Sequence, residues 1–245
     1  MLRGLLGEPK RDDSGLLMEV LQAIESFAEQ VEHPDGPLAA TSGRARRPPD
    51  RRRLWLWAQG FVTALDELEE SKHASECFRR NVRSRSVEEM DGQERDDYRR
   101  HVYFFKNAFI RVFSILDKLG YFLNEMYRLR TESVKPRFSY YTVLRRLSEL
   151  KAQPELERQL YELKIRYQGP MQRLRALRNM EIHWINAELM DDWQKLYTEH
   201  YDRLQIENLQ ANHRDLEQGY EMVCLSLKTA FVHILRDVAS GRWKR

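Results

Sequence analysis

Between Tyr98 and Met126 the apolar residues Tyr98, Val102, Phe105, Phe109, Val112, Leu116, Leu119, Leu123 and Met126 recur at alternating steps of four and three. That spacing keeps one face of a 3.6-residue helix apolar and predicts a long helix. A polar line, Asn107, Arg111, Ser114, Lys118, Tyr121, Glu125 and Arg128, keeps the same steps on another face. Phe104, Phe113, Ile115 and Phe122 fall between the lines and widen the buried side, as in a central helix of a bundle. A second seam, Leu209, Leu216, Tyr220, Val223, Leu227, Ala230 and Ile234, is interrupted only by His213 and predicts another long helix near the C-terminus.

Shorter helical patterns surround these two. One runs from Asp13 or Ser14 through Leu16 to Val31, and others lie around residues 54–71, 142–150 and 154–168. A further helix begins at Gly169-Pro170, where proline suits the first turn. Strand-like alternation is confined to "FSYYTV", residues 138–143. The predicted architecture is all-α, a helical bundle with long antiparallel core helices and extra short ones.

Proline placement divides the chain. Five of eight prolines fall in the first fifty residues, and none lies between Pro49 and Pro136, which permits long helices there. The stretch "HPDGPLAATSGRARRPPDRRR", residues 33–53, has turn chemistry and a run of arginines. Residues 1–53 are therefore expected to hold an N-terminal helix and a flexible Arg/Pro-rich segment, loosely attached to a helical domain over residues 54–245.

Composition narrows the function without naming it. With 245 residues, 42% of them hydrophobic, the chain can bury a substantial core. Its 41 basic and 38 acidic residues leave a net charge of only +3, so any nucleic-acid-binding surface must be local. No stretch approaches the roughly 18 consecutive apolar residues of a membrane span, and the start of the chain lacks the apolar run of a signal peptide. Cytoplasmic placement is expected, with no membrane partner. Cys77 and Cys224 are too few for a disulfide framework. His73 and Cys77, four apart, make half of a metal site; no second pair completes it in sequence, so neither metal nor cofactor is expected. Phosphate-binding and dinucleotide glycine motifs are absent.

Chemistry concentrates in "RNMEIH", Arg178 to His183. Asn179 and His183 are four apart and share a helix face, which Asn186 continues. Arg178 lies about 100° round the helix, and its long side chain can swing toward that face. An arginine five residues before a histidine recurs by chance, at roughly one occurrence or just under per chain of this composition, whereas adding the adjacent asparagine lowers the expectation to roughly 0.03. The full R-N-x-x-x-H pattern therefore carries weight that the spacing alone does not. Leu174, Leu177, Ile182 and Ile185 are placed to hold the helix against the bundle.

These residue types suit RNA cleavage. RNA carries a 2′-hydroxyl beside each phosphate, so it supplies its own nucleophile once a base takes the proton and a cation steadies the phosphorane. His183 can serve as acid or base near neutral pH. Arg178 offers an always-charged planar fork for phosphate oxygens, and Asn179 can orient histidine or phosphate. Arg173 and Arg175 are candidates for phosphate contacts, and Lys118 and Asp117 for reaching the pocket from the long helix. Arg79, Arg80, Arg83 and Arg85 form a further basic run, read as a solvated segment rather than a binding one.

R-N-x-x-x-H near the start of a helix in an all-α chain resembles the HEPN superfamily (higher eukaryotes and prokaryotes nucleotide-binding). The preceding segment "FFKNAFIRVFSILDKLGYFLNEMY", Phe104 to Tyr127, resembles the aromatic-rich helix before the motif in some bacterial members. The resemblance spans Leu54 to Val238. It implies a helical bundle that forms a homodimer, with motifs from two subunits facing each other, and in many members a metal-independent endoribonuclease. Arg178, Asn179 and His183 would be catalytic, leaving a 2′,3′-cyclic phosphate and a 5′-hydroxyl. Single-stranded RNA or tRNA loops would be substrates, in phage defence, stress response or a toxin–antitoxin pair with an antitoxin or regulatory partner. Other members are inactive nucleotide- or protein-binding dimers.

Overall fold

The computed structural model describes residues 2–32, 51–183 and 208–240, with Leu2, Leu5 and His183 described by their backbone alone. The helices are α1 (Leu2–Leu5), α2 (Gly15–Glu32), α3 (Arg51–Arg79), α4 (Gly92–Tyr127), α5 (Tyr140–Glu149), α6 (Pro154–Arg166), α7 (Gln168–His183) and α8 (Leu209–Ala239). Short 3-10 turns occupy Val87–Glu89 and Thr131–Ser133. Among the described residues there is no strand, and the all-α expectation holds. The two predicted seams became α4 and α8, with Val112, Leu119, Leu123, Val223, Leu227 and Ile234 each fully buried.

Within "FSYYTV", Tyr140 to Val143 are helical, and only Phe138 and Ser139 stay outside the helix. Ser139 caps α5 from an extended backbone conformation. Its own N–H donates to the Thr142 hydroxyl at 3.4 Å, and the Tyr140 N–H donates to the Asp117 carboxylate at 2.9 Å. These bonds satisfy amides that a first helical turn leaves orphaned. Burial of Tyr140, Val143, Leu144 and Leu147 on one helical face then outweighs the short local alternation. Gly120 on α4 makes the approach possible, since a Cβ there would stand 2.9 Å from the Tyr140 Cα.

The described residues form two compact units, each built from several stretches: those within 1–10, 67–112 and 167–220, and those within 11–66, 113–166 and 221–245. The second unit has an aromatic centre. Phe27 of α2, Phe61 of α3, Phe122 of α4 and Phe231 of α8 are each no more than 1% exposed. Their ring centroids lie 5.2–5.8 Å apart in edge-on and stacked pairs, geometries favoured by the aromatic quadrupole. α2 is thus part of a core rather than a loosely attached arm, because Val20, Ile24, Phe27 and Val31 recur at steps of three and four and bury one whole stripe. The arginine-rich stretch before Arg51 lies outside the described residues.

α7 lies wholly within the first unit. Leu174 is fully buried, and Gly219 of α8 leaves it room: a Cβ at Gly219 would sit 2.8 Å from the Leu174 Cδ1 and 3.5 Å from the Val112 Cγ1. Alongside, the polar line of α4 meets α3. The Ser71 hydroxyl donates to the Asn107 side-chain oxygen at 3.2 Å, Arg111 donates to the same oxygen at 2.5 Å, and Arg111 also pairs with Glu67.

Candidate functional site

α7 carries the Arg-Asn-His motif on one continuous helix, and its neighbours explain which way the Arg178 and Asn179 side chains lie. Pro170 falls in the first turn, where its missing N–H has no helical partner to lose. Tyr167, Pro170, Met171 and Leu174 form the buried stripe. Continued by steps of three and four, that stripe reaches Leu177, Arg178 and Glu181, all half-buried. The stripe therefore changes from apolar to charged over its last two turns. On the opposite side Gln172, Arg175, Asn179 and Ile182 are exposed.

Arg178 and Asn179, adjacent in sequence, thus have different surroundings: the guanidinium is partly enclosed and the carboxamide open. His183 is the last residue of α7, so its four-residue relation to Asn179 is a true helical one. Ile182, expected to anchor the helix, is 49% exposed instead, and Leu177 is only half-buried. Ile185 and Asn186 lie outside the described residues.

Contacts among the described residues hold α7 within its unit. Leu174 fills the gap opposite Gly219. Arg173 holds Asp215 of α8 through two parallel bonds of 2.6 Å, a fork matched to a carboxylate. Asp215 in turn raises the Arg173 guanidinium pKa, chiefly by that hydrogen bonding. Near the motif end, Lys106 of α4 pairs with Glu181 at 3.0 Å, both side chains under a fifth exposed. Lys106 and Glu181 were not singled out by sequence, since nothing in local spacing joins residues so far apart.

The other candidates divide. Arg175 lies on the same exposed side of α7 as Asn179. Arg173 is engaged with Asp215, although most of its side chain remains in solvent. Asp117 and Lys118 belong to the other unit. Asp117 caps α5, and Lys118 lines a groove of about 290 Å³ with Arg53, Leu56, Trp57, Gly60 and Phe61. In the upstream basic run, Arg79 and Arg80 both donate to Glu76, at 2.6 and 3.0 Å.

Glu76 also faces His213 of α8, whose Nε2 lies 3.2 Å from it and 3.4 Å from Glu217. Burial pushes the Glu76 carboxyl upward, but the Arg79 and Arg80 bonds and the His213 charge outweigh it and hold the pKa at about 2. Burial dominates at His213 and lowers its pKa against the pull of Glu76 and Glu217. His101 is lowered by burial too, although its Nδ1 bonds the Ser75 carbonyl at 2.9 Å.

The Cthe2314-like HEPN family model matches residues 57–235, well over half of the chain and close to the span of the resemblance. The chain belongs to the HEPN superfamily, and that family suggests a nucleotide-binding or ribonuclease-type function. Nothing matches among curated proteins, and nothing among solved structures. No helix among the described residues is long and apolar enough to cross a membrane.

Proposed function

We propose that this protein is a metal-independent endoribonuclease that uses the 2′-hydroxyl of RNA as nucleophile. One observation carries the reading: Arg178, Asn179 and His183 occupy one helix, α7, anchored on both sides by Arg173–Asp215 and Lys106–Glu181, with Asn179 open to an incoming chain. A rigid support matters because catalytic groups must be held within fractions of an ångström of productive geometry. Arg178 steadies the phosphorane charge, Asn179 orients phosphate or imidazole, and His183 moves the proton. One imidazole cannot act as base and acid in the same transition state. A two-fold homodimer supplies the second, and exposed Ile182 beside the motif supports a face that another copy covers. Substrates are single-stranded RNA or tRNA loops in the cytoplasm, in a defence, stress-response or toxin–antitoxin setting.

Purified protein incubated with total RNA in EDTA is expected to leave 2′,3′-cyclic phosphate and 5′-hydroxyl ends. His183→Ala should slow cleavage by about 10²–10⁴-fold, the usual worth of a positioned acid or base, and Arg178→Ala should also abolish most of it. Intact RNA in every lane would instead favour the second reading, a non-catalytic HEPN dimer that binds nucleotide or protein. The exposed Ile182 supports that reading equally.

A further inference from the structure

We infer that Glu8, His73 and Cys77 form a zinc-type metal site that clamps the first ten residues of the chain onto α3. All three belong to the same compact unit, and their candidate ligand atoms lie within 4.8 Å of one another. His73 and Cys77 are one turn apart on α3, so both project from one side of that helix. Cys77 Sγ stands 3.4 Å from His73 Nε2 and 3.5 Å from Glu8 Oε1. The second Glu8 oxygen touches His73 Nε2 directly.

The two separations from the Cys77 sulfur match a tetrahedral ion. Bonds of about 2.0–2.3 Å to nitrogen, oxygen and sulfur place neighbouring ligand atoms about 3.3–3.7 Å apart. Thiolate, imidazole and carboxylate together select zinc, cobalt or nickel over magnesium or calcium, which prefer oxygen throughout. Three protein ligands leave a fourth position for water. Each residue is only partly buried, so an ion can enter. On binding, the ion replaces the direct Glu8–His73 contact and the Cys77 proton, which passes to solvent.

Charge also balances. The Glu8 carboxylate and Cys77 thiolate neutralise a divalent cation. Arg3, whose Nη1 lies 3.2 Å from His73 Nε2, is held by Glu69 through its other nitrogen. Arg3 Nη1 also lies 3.8 Å from Glu8 Oε2, so the guanidinium touches two of the ligand residues and gives way at both when the ion binds. No ligand residue lies on α7, so the proposal stands apart from the nuclease reading, whose assay is run in EDTA.

Cobalt(II) titration of the chelator-treated full-length protein tests it. One equivalent should produce thiolate-to-cobalt charge-transfer absorption and the intense visible bands of tetrahedral coordination, and zinc should displace both. Cys77→Ser should lose the charge-transfer band, while Glu8→Gln should bind roughly tenfold or more weakly, at least the loss typical of disturbing a ligand's support. Circular dichroism melts verify that each variant still unfolds cooperatively, and zinc should raise the melting temperature of the parent protein but not of Cys77→Ser. Absence of the charge-transfer band in folded parent protein at several equivalents of cobalt overturns the inference. So does its persistence in Cys77→Ser, since Cys224 is fully buried and has no part in the proposed site.

Discussion

Arg178 and Asn179 illustrate how one residue step changes a side chain's surroundings on a helix: a turn of about 100° takes the arginine to the half-buried stripe and leaves the carboxamide in solvent. A planar fork in partial enclosure is not replaced by an ammonium on a flexible stem. Arg178→Lys should therefore recover little of the RNA cleavage lost in Arg178→Ala, as read in the same EDTA assay. Gly120 is equally specific. Its missing Cβ would meet the backbone of Tyr140 rather than the end of a flexible side chain, so α5 must shift to admit one. Gly120→Ala should cost about 1–3 kcal/mol, the usual range for overpacking, measured by urea unfolding.

At the level of elements, α7 owes its position to contacts on both flanks. Its own sequence buries Pro170, Met171 and Leu174 against the rest of the unit, and ion pairs add to that packing. Lys106–Glu181 is the more enclosed of the two. A double-mutant cycle with Lys106→Met and Glu181→Gln should give a coupling of roughly 0.5–3 kcal/mol, as for contacting residues in one network. Additive effects in urea unfolding would mean the pair does not anchor the helix. α5 shows the reverse balance. Its alternating residues suggested a strand, yet capping by Asp117 and Ser139 and a continuous buried face made it helical.

For the molecule as a whole, acid should be the main threat to stability. His101 and His213 have folded-state pKa values below the ordinary 6.5, and Glu76 sits at about 2 against 4.5. The unfolded chain takes up protons at ordinary values, whereas the folded protein resists them. These groups therefore contribute stability that is complete above pH 6.5 and is lost as pH falls, first through the histidines and then, below 4.5, through Glu76. Urea midpoints measured from pH 8 to pH 4 should decline over that range, and His101→Asn should flatten the upper part. The aromatic centre of the second unit sets the scale of apolar stabilisation. Phe122→Ala should cost about 3–5 kcal/mol by loss of burial and creation of a cavity, read in the same denaturation experiment.

Local periodicity made α4 and α8 legible from sequence, because a helix buries one face at a repeat that the chain itself displays. That Arg178, Asn179 and His183 lie on one helix was legible for the same reason, since they sit within two turns of each other. What lay beyond sequence were relations between distant stretches. Asp117 capping α5, Arg173 engaged by Asp215, α2 entering an aromatic core and Glu8 joining His73 and Cys77 all depend on segments brought together by packing. A hydrogen bond, a ring contact or a ligand set spanning sixty residues leaves no periodic trace in the chain, since only the assembled core determines which surfaces meet.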